Sequence, residues 1–214
     1  MLETIMTSSR EQILKRVRKA TAQAVPIPYP DLGNYTDYFE KTVMDKEIEF
    51  AQNFVSLQGR FSFCEDIDEL KKQIDTLIKS RNWEKIFCAE KDILLKLKDT
   101  LPESLITDSL AECNASLTTC EALVARTGSI VLSSAQELGR TTSIYAPVHI
   151  CIADTSQIMY DVADVFHFLQ KKYKGLLPSS ISFASGPSRT ADIEKTLVTG
   201  VHGPKEVFCF LVQE

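Results

Sequence analysis

Hydrophobic positions follow a helical period in the first part of the chain. Residues 8–23 carry apolar side chains at helical spacing, and a second helical region runs to about residue 57, before Gly59. The segment VPIPYPDLG between them has three prolines, so it cannot continue a helix and is expected to be an extended linker. The pattern predicts an N-terminal helical arm with a Pro-rich linker at 1–59 and a second domain at 60–214.

After residue 60, short apolar strands alternate with amphipathic helices. The predicted strands are RFSFC, KIFCA, ALVAR, SIVLSS, PVHICIA, SSISFA and EVFCFLV. The predicted helices are DIDELKKQIDTLIKSR, KDILLKLK, DTSQIMYDVADVFHFLQKKYKG and TADIEKTLV. Thr127-Gly128 predicts a tight hairpin between two of the strands. This alternation predicts an α/β fold with an open, mostly parallel sheet and one antiparallel hairpin.

Composition and charge exclude several classes of function. The net charge is −5, with 44% hydrophobic and 25% charged residues, so no general attraction to nucleic acid or anionic membranes is expected. No run approaches the roughly 18 apolar residues of a membrane helix. The start, MLETIMTSSREQ, lacks the features of a signal peptide, and a cytoplasmic location is expected.

The cysteine pattern argues against a disulfide framework and against a metal site in this chain. There are six cysteines and no CxxC pair, and the three histidines form no HxxxH pair. Four thiols lie in apolar strand-like runs, where a thiol acts as a small buried hydrophobe. These four are Cys64, Cys88, Cys151 and Cys209.

The stretch GPSRTADIEKTLVTGVHGPKE is the first candidate for a site. The N-terminus of its predicted helix could hold an anion, with hydroxyls from Ser188 and Thr190 and a carboxylate or phosphate clamp from Arg189. We expect this loop at the carboxyl end of the sheet, where ligands bind in open α/β folds. The same pattern is also typical of a chain that only opens a helix. Spacing alone does not separate these interpretations.

The GVHGP loop closes the same segment. It holds His202 between Gly200 and Gly203, so the imidazole could act as a general base or ligand hydrogen-bonder. It could equally bond a backbone carbonyl and only shape the turn. We predict that Arg189 and His202 lie at the same edge of the sheet.

Residues 125–143 form a third candidate. Thr127 and Gly128 build a turn, hydroxyl side chains end the following strand, and Arg140 follows a glycine. A hydroxyl-rich strand end near an arginine could bind a polar substrate, although such loops are also common solvated connections. The motifs GxSxG, GxGxxG, HExxH and the P-loop are absent, which removes the best-defined hydrolase, nucleotide and metalloprotease functions.

Several of these stretches together resemble a known family. RTGSIVLSS, the R-x-x-S spacing, APVHICI, QIM and SGPSRTADIEKTLVTGVHGPKE resemble the LUD domain, named for L-lactate utilisation, of the lactate-utilisation protein C type. The resemblance covers roughly 60–214 and is strongest over 181–212. Many relatives have an acidic residue where this chain has Arg126, so no catalytic role is implied there. The motif positions that carry over are Thr127, Gly128, Arg140, Gly186, Ser188, Thr190, Asp192, Gly200, His202 and Gly203.

The resemblance implies a fold like the sugar-phosphate isomerase and CoA-transferase superfamily, with an open Rossmann-like sheet. It also implies a cytoplasmic bacterial protein that works with iron–sulfur partner proteins in oxidising L-lactate to pyruvate. The clusters would lie on the partners, with no cofactor on this chain and a small carboxylate or other anion as a possible ligand. Whether the chain is itself an enzyme stays open. The alternatives are a stand-alone enzyme on this fold and a small-ligand-binding module.

Overall fold

The residues described by the computed structural model are 9–22, 44–137, 139–190 and 198–213. The chain divides into two compact units, residues 1–43 and 44–214. In the first unit the described element is helix α1 (Ser9–Thr21), as its periodicity predicts. The division precedes the expected boundary at residue 59, because Phe50 and Phe54 of the second helix are buried in the core of the second unit.

The second unit contains five described α-helices and eleven described strands. The helices are α2 (Lys46–Ser56), α3 (Ile67–Arg81), α4 (Lys91–Lys96), α5 (Thr142–Tyr145) and α6 (Val162–Lys172). Two 3-10 turns are Glu103–Leu105 and Thr155–Gln157. The strands are β1 (Arg60–Cys64), β2 (Ile86–Phe87), β3 (Ala115–Thr118), β4 (Ala122–Val124), β5 (Ser129–Ser133), β6 (Val148–Asp154), β7 (Ile158–Met159), β8 (Ile181–Ala184), β9 (Arg189–Thr190), β10 (Val198–Thr199) and β11 (Glu206–Val212).

A five-stranded parallel sheet lies at the centre of this unit. Its order is β1-β11-β6-β3-β2, and every pair in it is parallel. A second sheet has the order β7-β4-β5-β8 and contains the predicted β4–β5 hairpin, while β9 and β10 form a separate antiparallel pair. The predicted α/β fold with a mostly parallel sheet is confirmed, with the hairpin placed in a sheet of its own.

The core is layered because residues alternate between the faces of each strand. One face of the parallel sheet packs against α3 and α4, and the other face packs against α2 and the second sheet. Helix α6 covers the outer face of the second sheet through Val165 and Leu169. Loops at either end of the strands are thereby held in fixed positions.

Helix starts follow the capping residues. The predicted cap of α3 is confirmed, since the Asp66 side chain accepts a 2.7 Å hydrogen bond from the Glu69 backbone N–H. The prediction that the next long helix starts at Asp154 is wrong. It starts eight residues later, after the Asp161 cap, because the preceding segment makes a 3-10 turn and pairs with β4 as β7.

The predicted helix TADIEKTLV differs from the structure at both ends. Thr190 lies in β9 and Val198 in β10, and these two residues are register partners. The residues between them, 191–197, lie outside the described residues.

Candidate functional site

The GPSRT and GVHGP loops meet at the edge where the parallel strands begin, which we call the amino edge. The Ser188 N–H donates to the Pro204 carbonyl at 2.9 Å, and the Gly200 N–H donates to the Ser188 carbonyl at 2.9 Å. Lys205 N–H donates to the Pro147 carbonyl at 2.8 Å, just before β6. The expected position at the carboxyl end of the parallel sheet is therefore wrong. The loop follows β8, which belongs to the second sheet and runs antiparallel to β5.

Arg189 and His202 lie at this same edge. Each is next to or close to a residue of the Ser188–Pro204 hydrogen bond, and both side chains are exposed. Arg189 and Thr190 pair with β10. A ligand-binding role for the two side chains stays a prediction.

Two motif glycines allow close backbone packing against α2 and the residue that follows it. A Cβ at Gly128 (φ +56°) would lie 2.5 Å from the Phe54 backbone nitrogen, and one at Gly186 (φ +85°) would lie 2.3 Å from the Leu57 carbonyl oxygen. At Gly203 a Cβ would lie 2.9 Å from that of Ser188. Real Cβ atoms do not tolerate such distances, and L-residues disfavour positive φ. These glycines thus have a packing role that needs no ligand.

A chain of hydroxyls joins two of the motifs. Ser129 Oγ lies 2.7 Å from both Thr127 Oγ1 and Ser185 Oγ. From α2, Asn53 Nδ2 donates to the Ala125 carbonyl at 2.9 Å. The Thr127-Gly128 turn and the loop that begins at Ser185 therefore form one hydrogen-bonded junction at the end of α2.

Two arginines of the motif region bond to side chains within the fold. Arg126 Nε donates to Asp161 Oδ2 at 2.6 Å, and this hydrogen bond holds the pKa of Asp161 below its usual value. Arg140 Nη2 donates to Ser179 Oγ at 2.6 Å, near the end of β5 that is opposite the TG turn. Ser179 Oγ in turn lies 3.1 Å from Ser134 Oγ, so Arg140 is placed near the hydroxyl-rich end of β5, as the sequence predicts, and a ligand-binding role there stays a prediction.

Buried polar side chains that the sequence analysis did not select lie on β3 and β6. Ser116, Thr118 and His149 have no exposed surface. Ser116 is the register partner of His149, and α5 packs against β3. His149 Nε2 lies 2.8 Å from Thr118 Oγ1, and burial lowers the pKa of His149 to about 4, so its imidazole is neutral at pH 7.

Two atoms of this group are unpaired. Within the described part of the chain, Ser116 Oγ and His149 Nδ1 are the buried side-chain nitrogen and oxygen atoms without a hydrogen-bond partner. Buried polar atoms in native structures are nearly all bonded. The available sequence signal was a polar residue inside an otherwise apolar strand, as in NASLT and PVHICIA.

The carboxyl edge of the parallel sheet has a charged and bonded network instead. Glu121, between β3 and β4, has a fully buried side chain and accepts from Lys172 at 2.7 Å, Tyr173 at 2.6 Å and Ser133 at 2.5 Å. Burial raises the pKa of Glu121, but the hydrogen bonds from Lys172, Ser133 and Tyr173 outweigh it, and the pKa is lowered. This network ties β3 to β5 and α6.

A small cavity also lies at the carboxyl edge. Its volume is about 60 Å³, and its polar lining includes Thr119, Asp154 and Gln157. Gln157 bonds the Asp154 N–H and the Cys120 carbonyl, and Thr119 bonds Glu90 through its N–H and hydroxyl. Thr119 and Gln157 therefore already have partners within the fold.

The thiols behave as predicted for small buried hydrophobes. All six are free and buried. Burial is the main cause that raises the pKa of Cys64 and of Cys88 to about 11, and the Cys120 pKa is raised first by a hydrogen bond to Cys151. Over the described residues, no group of three or more His, Cys, Asp or Glu side chains is placed to hold a metal ion, and no helix could cross a membrane.

The fold is that of an α/β protein with a parallel central sheet. The sequence model of the LUD domain matches residues 48–212. The chain belongs to the LUD domain family.

Related proteins fall into two groups by coverage. An uncharacterized protein of Neisseria meningitidis serogroup B is 30% identical, over 94% of this chain and 91% of its own length. Lactate utilization protein C of Bacillus subtilis is 32% identical over 48% of this chain, and that of Geobacillus kaustophilus is 36% identical over 50%. The chain spans 44% and 45% of the lengths of these two proteins.

A solved structure shares the fold. A DUF162 family protein from Deinococcus radiodurans matches with a TM-score of 0.60 and 17% identity, covering 79% of this chain and 99% of that one. At this identity the likeness shows a common fold.

Proposed function

We propose that this chain is a non-redox subunit of a bacterial L-lactate utilisation system that oxidises L-lactate to pyruvate together with iron–sulfur partner proteins. The observation that carries the proposal is membership of the LUD domain family, with 32–37% identity over about half of the chain to several proteins named lactate utilization protein C. The proposed location is the cytoplasm.

In this proposal, the partner proteins accept the electrons and this chain does not. Oxidation of lactate to pyruvate releases two electrons and two protons, and iron–sulfur clusters on the partners accept the electrons. The thiolate is the form of cysteine that ligates iron. Buried thiols with raised pKa, such as Cys64 and Cys88, support a packing role for cysteine in this chain.

The proposed contact with small molecules lies at the amino edge. Exposed Arg189 and His202 occur on adjacent loops there, and an arginine is suited to a carboxylate. Thr127, Gly128, Gly186 and Ser188 then position these loops, and they do so through contacts that the protein makes without a ligand.

Growth on L-lactate tests the proposal. Deletion of the gene from its native bacterium should abolish growth on L-lactate and leave growth on pyruvate intact, and the tagged chain should co-purify with iron–sulfur proteins. Complementation with Arg189→Ala/His202→Ala should fail, whereas His167→Ala, on the exposed side of α6, should restore growth. Normal growth of the deletion strain on L-lactate would refute the proposal.

A small-ligand-binding module is the second candidate. The specific observation in its favour is the pair of unpaired buried atoms, Ser116 Oγ and His149 Nδ1. In that case the purified chain binds a small molecule without partner proteins.

A further inference from the structure

Ser116 and His149 are adjacent on neighbouring parallel strands. They are register partners in the β3–β6 pair, and such strands lie about 4.8 Å apart. Register partners project from the same face of a sheet, and Thr118, two residues along β3, shares that face. One small polar group is therefore within reach of both unpaired atoms.

The position of these atoms indicates a ligand. Both residues are fully buried, and elsewhere in the described interior the buried side-chain nitrogen and oxygen atoms have partners. An unpaired buried polar atom destabilises the folded state, since it has lost its bonds to water. Two such atoms side by side are explained if a bound molecule supplies the missing bonds.

Hydrogen-bond chemistry defines the class of ligand. When Thr118 Oγ1 donates to His149 Nε2, the neutral ring carries its proton on Nδ1. The Ser116 hydroxyl and His149 Nδ1–H then present two donors to one acceptor group. The two oxygens of a carboxylate accept such a pair.

The charge of a bound carboxylate would be balanced by His149. The other titratable side chains of the described residues on this face are the buried thiols Cys120, Cys151 and Cys209, and α5 contributes the exposed Tyr145. Helix α2 also contributes the buried carboxyl of Glu49, and the hydrophobic residues of α2 and the second sheet complete this core. None of these groups is a cation, so the imidazole is the group that can gain a positive charge beside a carboxylate.

Access requires movement of α5. This helix has four residues, packs against β3, and exposes Ile144 and Tyr145. A helix this short gains little stability from its own hydrogen bonds. It is therefore expected to open more readily than the parallel sheet against which it packs.

We propose that Ser116, Thr118 and His149 form a binding site for a small carboxylic acid, held through its carboxylate while the imidazole takes up a proton. The location rests on the two unpaired atoms. The choice of 2-hydroxy and 2-oxo acids as the preferred ligands rests on the proposed function in lactate utilisation.

Nitrogen NMR of the purified full chain tests this site. The ¹⁵N-histidine-labelled protein is titrated with L-lactate, pyruvate and, as the uncharged analogue, lactamide, with His149 assigned through His149→Gln. The acids should move the His149 ring resonances saturably to imidazolium values, whereas lactamide should not. His167 on α6 serves as an internal control and should not move.

A variant pair tests the donors. Ser116→Ala should weaken lactate binding about tenfold, in line with loss of one hydrogen bond to a charged group, without lowering Tm. Ser182→Ala, at an exposed position of β8, should leave binding unchanged. A His149 resonance that no acid moves, or that lactate and lactamide move equally, overturns the proposal.

Failure here and failure of the proposed function are distinguishable. A chain that restores growth on L-lactate but binds no acid has the proposed function without this site. A chain that binds acid but does not restore growth has the site in a different role.

Discussion

The two edges of the parallel sheet bury polar groups in different ways. Near the carboxyl edge, Glu121 is ionised, and Lys172, Tyr173 and Ser133 bond its oxygens. Near the amino edge, Ser116 and His149 are neutral, and each has an atom without a partner. A buried charge whose hydrogen bonds are all made stabilises one arrangement of the fold. Two neutral side chains with unpaired atoms can still form hydrogen bonds to another molecule. In this chain, the buried charge of Glu121 has a structural role, and neutral Ser116 and His149 belong to the proposed binding site.

The largest expected effect is at the carboxyl edge. Glu121→Ala should lower the free energy of unfolding by about 3–5 kcal/mol, because it removes the charged acceptor of three hydrogen bonds and leaves the buried Ser133 hydroxyl without that partner. Urea denaturation measures this. Glu112→Ala, at an exposed pair with Lys85, should change stability far less. Equal effects of the two variants would contradict a structural role for the network.

The next-largest expected loss of stability concerns the close glycine packing at the amino edge, which involves no buried charge. Gly186→Ala should cost about 3 kcal/mol, from the unfavourable positive φ and the contact with the Leu57 carbonyl. Gly175→Ala is a matched control, with φ +83° and open space around a Cβ, and should cost about 1 kcal/mol. Similar losses in both variants would show that packing against Leu57 does not matter.

The third expected effect is that the two edges lose stability in different pH ranges. Between pH 6 and 4.5 the unfolded state protonates histidine while folded His149, with a pKa of about 4, stays neutral, so stability should fall by about 2 kcal/mol as pH falls. Glu121 has a lowered pKa, so its contribution is present above pH 4.5 and is lost only at lower pH. His149→Gln should abolish the fall in stability between pH 6 and 4.5. It should keep the loss of stability below pH 4.5 that comes from Glu121. Unfolding free energies across pH 3.5–7 measure both.

The smallest effect compares two buried serines. Ser133→Ala removes a donor to Glu121 and should cost about 1–2 kcal/mol. Ser116→Ala removes an unpaired hydroxyl and should leave stability unchanged or raise it by up to about 1 kcal/mol. Thermal denaturation measures the pair, and a large loss in Ser116→Ala would show that this hydroxyl has a structural partner.

Much of the fold could be predicted because local patterns determine it. The Asp66 cap, the Thr127-Gly128 hairpin and the apolar strands are read from neighbouring residues, and all three are present. The start of α6 was missed because residues 158–159 pair with β4, a contact that periodicity cannot show. The Asp161 and Asp164 capping box was a local signal for the correct start.

The candidate site was less predictable because it depends on strand order. The loop after β8 could be placed only once β8 was known to lie in the second sheet, and β11 to lie between β1 and β6. The Ser116–His149 pairing likewise depends on register between β3 and β6. Sequence reasoning identified the glycines and hydroxyls of the loops but not the packing role that the structure gives them.

The position of β11 has a consequence for synthesis of the protein. β1 lies at the sheet edge with β11 as its neighbour, and the two strands begin about 146 residues apart. Ribosomes add about 5–20 residues per second, so β1 emerges roughly 7–30 s before the strand that completes it. During that interval Phe50, Phe54 and Phe61 have no finished core to enter, and the nascent chain exposes their apolar surface.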